Sequence, residues 1–248
     1  MGAQERLTRR GSLLRLAGLA ATAAGAAGWR APHGGAETSG PLAVSSGAVA
    51  CILTPELTEG PYYVAGEHVR RDITDGRPGT PLELRLTVVN ASTCKALVGA
   101  AVDVWHCDAL GVYSGTIAGN PGTNFLRGIQ RTNANGVATF ETIYPGWYPE
   151  RAVHVHLKVH VGGNVVHTGQ LFFPAAVTDA VYRRAPYRSH GTRPDTSNPR
   201  DAIFRNGGAK GMLGLRRRGS GYVGSVVTGV LAAWARRERV GAGGFEPP

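Results

Sequence analysis

Apolar and polar residues alternate through the middle of the chain. In Leu82–Val89 (LELRLTVV) every second residue is leucine or valine, so one face is apolar and the other polar. That is the signature of a half-buried strand. Val98–Cys107, Val137–Ile143, His154–Val161, Val165–Phe173 and Tyr222–Val230 read as further strands. Turn signals punctuate them. Asn90–Leu97 forms a loop, Thr132-Asn133-Ala134-Asn135-Gly136 precedes one strand, and Gly162-Gly163-Asn164 joins two. Helical spacing is scarce, with one helical turn expected near Ala175–Arg184 inside an irregular excursion over 174–205. The pattern predicts an all-β fold, a β-sandwich with irregular loops and little helix.

Composition sets the boundaries. The 248 residues include 36 Gly and 15 Pro, a composition for turns and short strands. Thr8-Arg9-Arg10-Gly11-Ser12-Leu13-Leu14 resembles a twin-arginine export signal, and the Leu/Ala stretch behind it is too short and weakly apolar to span a membrane. Residues 1–30 therefore read as a signal segment, 31–50 as a flexible linker, 51–230 as the folded domain and 231–248 as a basic disordered tail. An exported protein without stable membrane insertion is expected.

Net charge is +10, but five arginines lie in the first 30 residues and more cluster in Arg216-Arg217-Arg218 and Arg236-Arg237-Glu238-Arg239. No aromatic-basic interleaving accompanies them, so they read as a solvated basic face, with no nucleic-acid partner. The cysteines are Cys51, Cys94 and Cys107. Export permits one disulfide. A strand of about 25 Å separates Cys94 from Cys107, beyond disulfide reach. The expected pair is Cys51–Cys107. No Cys-x-x-Cys offers a metal cage.

Chemistry concentrates in Pro145-Gly-Trp-Tyr-Pro-Glu-Arg-Ala-Val-His-Val-His156. His154 and His156 are two apart on a strand, so both imidazoles emerge on one face and can share a metal. Tyr148 lies just upstream, and tyrosinate is a hard anionic ligand suited to a ferric ion. Three more motifs line up with this one: Thr54-Pro-Glu-Leu-Thr-Glu-Gly-Pro-Tyr-Tyr63, Val102-Asp-Val-Trp-His-Cys-Asp-Ala-Leu-Gly-Val-Tyr-Ser-Gly115 and Gly169-Gln-Leu-Phe-Phe173.

Together, over roughly residues 51–230, these motifs resemble the intradiol ring-cleaving dioxygenases, non-haem ferric enzymes that open catechols between the two hydroxyls. The likeness is to the family's exported branch, because the N-terminal helical dimerisation region of the cytoplasmic enzymes is missing. The resemblance implies one Fe(III) per chain, held by Tyr113, Tyr148, His154 and His156, and no organic cofactor. It implies that Arg151 stabilises charge developing on the substrate and that Gln170 supports the ligands. Gly60, Pro61 and Tyr62 match the loop that walls the substrate pocket. The implied partners are a small aromatic diol and O2, the product is a cis,cis-muconate-type diacid, and the chain is a monomer or homodimer. His106 and His160 are not assigned as ligands. Two rival readings remain. One is a transthyretin-like or carbohydrate-binding sandwich without catalysis; the other is a copper or zinc enzyme using His154 and His156.

Overall fold

The alternating leucines point inward as their spacing requires. In the computed structural model, which describes residues 52–116 and 120–231, Leu82, Leu84, Leu86 and Val88 of the first strand (β1, Pro81–Asn90) are all buried in the main core. Then follow β2 (Ala101–Trp105), β3 (Arg127–Arg131), β4 (Val137–Ile143), β5 (His154–Val161) and β6 (Asn164–Phe172). Helix α1 (Ala175–Tyr182) and the short α2 (Ala202–Arg205) precede β7 (Gly214–Arg218) and β8 (Gly221–Val230).

The strands form two four-stranded sheets, ordered β4-β1-β8-β7 and β3-β2-β5-β6. All pairings are antiparallel except β1 with β8, which run parallel from Leu82↔Tyr222 to Asn90↔Val230. The expected β-sandwich is therefore what forms. Val102 and Val104 of β2 and Val155, Leu157 and Val159 of β5 face the same core as the β1 leucines. The alternate residues of β2 and β5 turn to the outer face of the second sheet. There Trp105 lies opposite His156, and His156 lies opposite Gln170.

Two strands escaped the sequence pattern. β3 (RGIQR) and β7 (GLRRR) are polar, and each is an edge strand with one neighbour. An edge strand buries little, and exposed arginines such as Arg216 and Arg217 keep it from pairing with other chains. β2 is also shorter than predicted, because exposed Val98 and Gly99 (φ 75°) form the turn before it.

The excursion between β6 and β7 is anchored rather than loose. Tyr182 Oη donates to Pro145 O (3.0 Å), Tyr187 Oη donates to Tyr144 O (2.7 Å) and accepts from Thr80 N (2.9 Å), and Asn198 Nδ2 donates to Phe173 O (3.0 Å). These bonds hold the excursion against the loop that carries Tyr148.

The expected Cys51–Cys107 disulfide does not form. Cys107 is a buried free thiol packed with Trp105 and Tyr113, while Cys94, on the exposed β1–β2 loop, is disulfide-bonded. The physical reason is the path of the entering chain. Leu53 bridges to Gly229 at the end of β8, and Ala91 N donates to Val230 O (2.9 Å), so the chain enters beside the Cys94 loop, whereas Cys107 is enclosed in an aromatic layer. The predicted signal segment and linker, and the tail beyond residue 231, lie outside the described residues.

Candidate metal centre

β5 supplies the two histidines from one face, both buried at its first and third positions. Their Nε2 atoms are 3.0 Å apart. His154 Nδ1 donates to Ala152 O (2.6 Å), which fixes the tautomer and leaves Nε2 as the lone-pair atom. The Trp105 indole stacks flat on the His156 ring.

Each tyrosine comes from a loop, and the two loops are locked together. Asp108 Oδ1 accepts from Leu110 N (2.9 Å) and Val112 N (3.0 Å), shaping the turn that presents Tyr113. Gly146 N donates to Asp108 O (2.9 Å), tying the Tyr148 loop to it. Gly146 lies so close to the Asp108 and Ala109 backbone that a Cβ would overlap it, and Gly111 (φ 82°) meets the Trp147 carbonyl in the same way. Glycine at these two positions is what allows the loops to pack.

Tyr148 Oη is 3.0 Å from His154 Nε2, and the Tyr113 and Tyr148 rings are 5.6 Å apart, edge to face. The Tyr113 hydroxyl is buried with no hydrogen-bond partner. Tyr62 stacks on Tyr113 (4.2 Å between centroids, 11° between planes) and meets Tyr148 edge-on. Gly60 (φ 73°) lies behind His156, where a Cβ would come within 3.2 Å of its Cε1; neighbouring Pro61 is exposed.

Arg151 sits in front of this cluster. Its Nη1 lies 3.4 Å from Tyr148 Oη and 3.5 Å from His154 Nε2. Its Nη2 donates to Gln170 Oε1, and Gln170 Nε2 donates to Thr58 O (2.9 Å). All the predicted site residues thus gather at one end of the second sheet. His106 is fully buried between Thr142 Oγ1 (2.7 Å) and Cys107 O (2.8 Å), a packing role consistent with leaving it unassigned.

Burial governs the electrostatics. It pushes the Tyr113 phenol well above its ordinary pKa, helped by nearby Cys107 and Tyr148. It raises Tyr148 to about 12, against the opposing pull of Arg151. Burial also lowers His154, to about 3 with help from Arg151, and lowers His156 well below the usual imidazole range. The side chains alone therefore make a neutral cluster of two phenols and two imidazoles. A partnerless buried phenol costs free energy unless a cation takes its oxygen as a ligand. Two tyrosinates and two imidazoles suit a hard trivalent ion, and a ferric ion with one hydroxide would leave the site neutral. Among the described residues no three His, Cys, Asp or Glu side chains form a metal cluster, and the further protein oxygen beside the two histidines is that of Tyr148.

Sequence reasoning missed two residues here. Trp105 is visible in the motif, but its stacking depends on the β2–β5 register. Asp201, fully buried, accepts from Arg151 Nε (2.9 Å) and Ala152 N (2.8 Å). Its one sequence signal is an aspartate just ahead of the short apolar-containing run Ala202–Arg205, the pattern of a helix N-cap.

Comparison with known proteins agrees with this architecture. Residues 58–181 match the family model described as Dioxygenase. The intradiol ring-cleavage dioxygenase from Tetranychus urticae is 34% identical, with a TM-score of 0.70 over 74% of this chain and 96% of that one. The dioxygenase domain of a dioxygenase carbohydrate-binding protein fusion from Streptomyces sp. SirexAA-E is 30% identical, with a TM-score of 0.57 over 73% of this chain and 100% of that domain. Catechol 1,2-dioxygenase 2 of Acinetobacter lwoffii is 41% identical over 101 residues, 38% of this chain. The alignment spans only 35% of that relative's length. The chain belongs to the intradiol ring-cleavage dioxygenase family.

Proposed function

We propose that this chain is an iron-dependent intradiol dioxygenase that inserts both atoms of O2 into a small catechol and opens the ring between the hydroxyls. The observation that carries the reading is the meeting of Tyr148 Oη, His154 Nε2 and His156 Nε2 at 3.0 Å steps beside the partnerless Tyr113 hydroxyl. Those four residues would hold the ion. When bound, Fe(III) supplies a Lewis acid and a template that brings diol and O2 together.

The remaining roles fall to this chain's own groups. Tyr113 is buried, whereas Tyr148 is partly exposed and would be the phenol an incoming diol meets. Tyr148 Oη, deprotonated when it serves as a ligand, is the atom placed to take a proton from the substrate, and burial favours its keeping that proton. Arg151 Nη1, beside that oxygen, stabilises negative charge as it builds on the ring. Tyr62 closes one wall.

Substrate class follows from the nearby cations. Arg151 is paired with Asp201, Lys158 with Glu59, and Arg127 is buried against Ser114 and Glu67. Arg151 and Lys158 are already paired, and Arg127, although its Nη1 has no partner, is fully buried, which favours catechols that are uncharged on the ring. A twin-arginine export route, read from residues 1–30, would expose the enzyme to extracellular aromatics. A non-catalytic binding module finds no support in relatives named as dioxygenases.

The test is oxygen uptake by the Fe(III)-loaded protein with catechol, chlorocatechol, hydroxyquinol and protocatechuate, with product masses from 18O2. Tyrosinate-to-iron charge transfer should colour the protein red, and catechol added under nitrogen should shift the band. Tyr148→Phe should bleach it. A colourless zinc protein that consumes no oxygen would sink the reading, and a preference for protocatechuate would overturn the substrate class.

A further inference from the structure

We propose that Asp201 is the positioning residue that aims Arg151 at the metal centre, and that the excursion between β6 and β7 serves to deliver it. The inference rests on the role given above to Arg151, but its geometry stands independently.

The two carboxylate oxygens of Asp201 divide their work. Oδ1 accepts from Ile203 N (2.7 Å) and Phe204 N (3.1 Å) and so caps α2. Oδ2 accepts from Arg151 Nε and Ala152 N. A carboxylate serving only as a helix cap needs one oxygen and stays near water. This one has 0% side-chain exposure, and its second oxygen is committed to the Arg151–Ala152 segment. Burial would raise its pKa, yet the Ala152 and Phe204 N–H bonds and the Arg151 charge outweigh that and hold it below the usual range. The buried charge is therefore paired with Arg151 and satisfied by four N–H donors.

The consequence lies in the guanidinium. Asp201 holds its Nε edge, and Gln170, on β6, holds Nη2. A planar fork fixed at two edges has one remaining direction for Nη1, which is toward Tyr148 Oη and His154 Nε2. Gln170 alone leaves the arginine free to swing about that contact. Asp201 removes the swing, and a charge must be held in place before reaction to stabilise a transition state fully. The anchoring of residues 182, 187 and 198 on the core explains how a residue 50 positions downstream reaches Arg151 with a fixed carboxylate.

Two variants separate aiming from capping. Asp201→Ser keeps a good capping oxygen but cannot reach Arg151, and Asp201→Asn keeps the shape without the charge. In the metal-free full-length chain, the Arg151 Nε–H should give a resolved, slowly exchanging 15N–1H resonance. Both variants should lose it while the Ile203 and Phe204 amides remain protected. In the Fe(III)-loaded chain with catechol, kcat should fall about 10- to 100-fold with KM within about threefold. In an Arg151→Ala background, Asp201→Ser should cost no further activity, because a residue that acts through Arg151 has nothing left to act on. Retention of the Nε–H signal, or an equal additional loss in the Arg151→Ala background, would overturn the proposal. If the wild-type chain takes up no oxygen, the catalytic reading fails, and the resonance alone decides whether Asp201 fixes Arg151.

Discussion

The Trp105 indole lies parallel to the His156 imidazole, 4.9 Å between centroids and 6° between planes, because β2 and β5 place the two residues directly opposite each other. The stack holds one imidazole at its angle before any metal arrives. Groups that orient a ligand typically affect metal affinity by 10- to 100-fold. Trp105→Leu should therefore weaken Fe(III) binding about tenfold in chelator competition. It should also destabilise the metal-free protein by about 3 kcal/mol in urea, since Trp105 is buried. Unchanged iron affinity would show that the stack is packing alone.

Tyr113 sets binding against stability. Its hydroxyl is buried without a partner, while its ring is stacked by Tyr62. Tyr113→Phe keeps the ring and removes the orphan oxygen. The metal-free variant should be more stable by about 1 kcal/mol. Its iron binding and charge-transfer band should be lost. A destabilised metal-free variant would mean that the hydroxyl has a partner in solution.

Gly60 couples backbone and ligand. It combines φ 73° with a 3.2 Å approach of any Cβ to His156. Gly60→Ala should cost about 1 kcal/mol from the backbone alone. It should also lower iron occupancy by displacing the imidazole, measured as iron per chain after reconstitution. Full occupancy would show that the loop yields instead.

Asp103 gives the fold a pH slope. It is buried among Tyr63, Glu67, Lys158 and Arg127, and burial raises its carboxyl to about 7, with Glu67 adding to the rise and Tyr63, Lys158 and Arg127 opposing it. The folded protein thus keeps a proton that the unfolded chain releases near pH 4. Stability from this group falls as pH rises from about 4 to 7, and the loss, on the order of 4 kcal/mol, is complete above pH 7. Asp103→Asn should therefore raise Tm more at pH 8 than at pH 5. Equal shifts at the two pH values would contradict this.

The cluster of candidate ligands was legible because it is written locally. His154 and His156 follow strand parity, and Tyr113 and Tyr148 sit in short motifs with glycines that make their turns. The strands with a core face were legible for the same reason, as β4 and β5 show. β3 and β7 were not, because an edge strand needs no apolar rhythm. Asp201 was hidden because its meaning depends on Arg151, 50 residues away, and on tyrosine anchors that no periodicity marks. The disulfide was misread because spacing along a strand says which cysteines cannot meet, not which part of the sheet the entering arm crosses.

The parallel pairing of β1 with β8 also has a consequence for biosynthesis. Every strand of the sheet that carries the histidines lies between residues 101 and 172, so that sheet is complete in the nascent chain well before synthesis ends. Its supporting sheet is not. β1 can pair with β4 on one side but waits for β8 on the other, so one open edge persists until residue 230 has been made. Such long-range pairing is slow and aggregation-prone. The last of the described strands to be translated therefore decides when the half that carries the two histidines gains a stable floor.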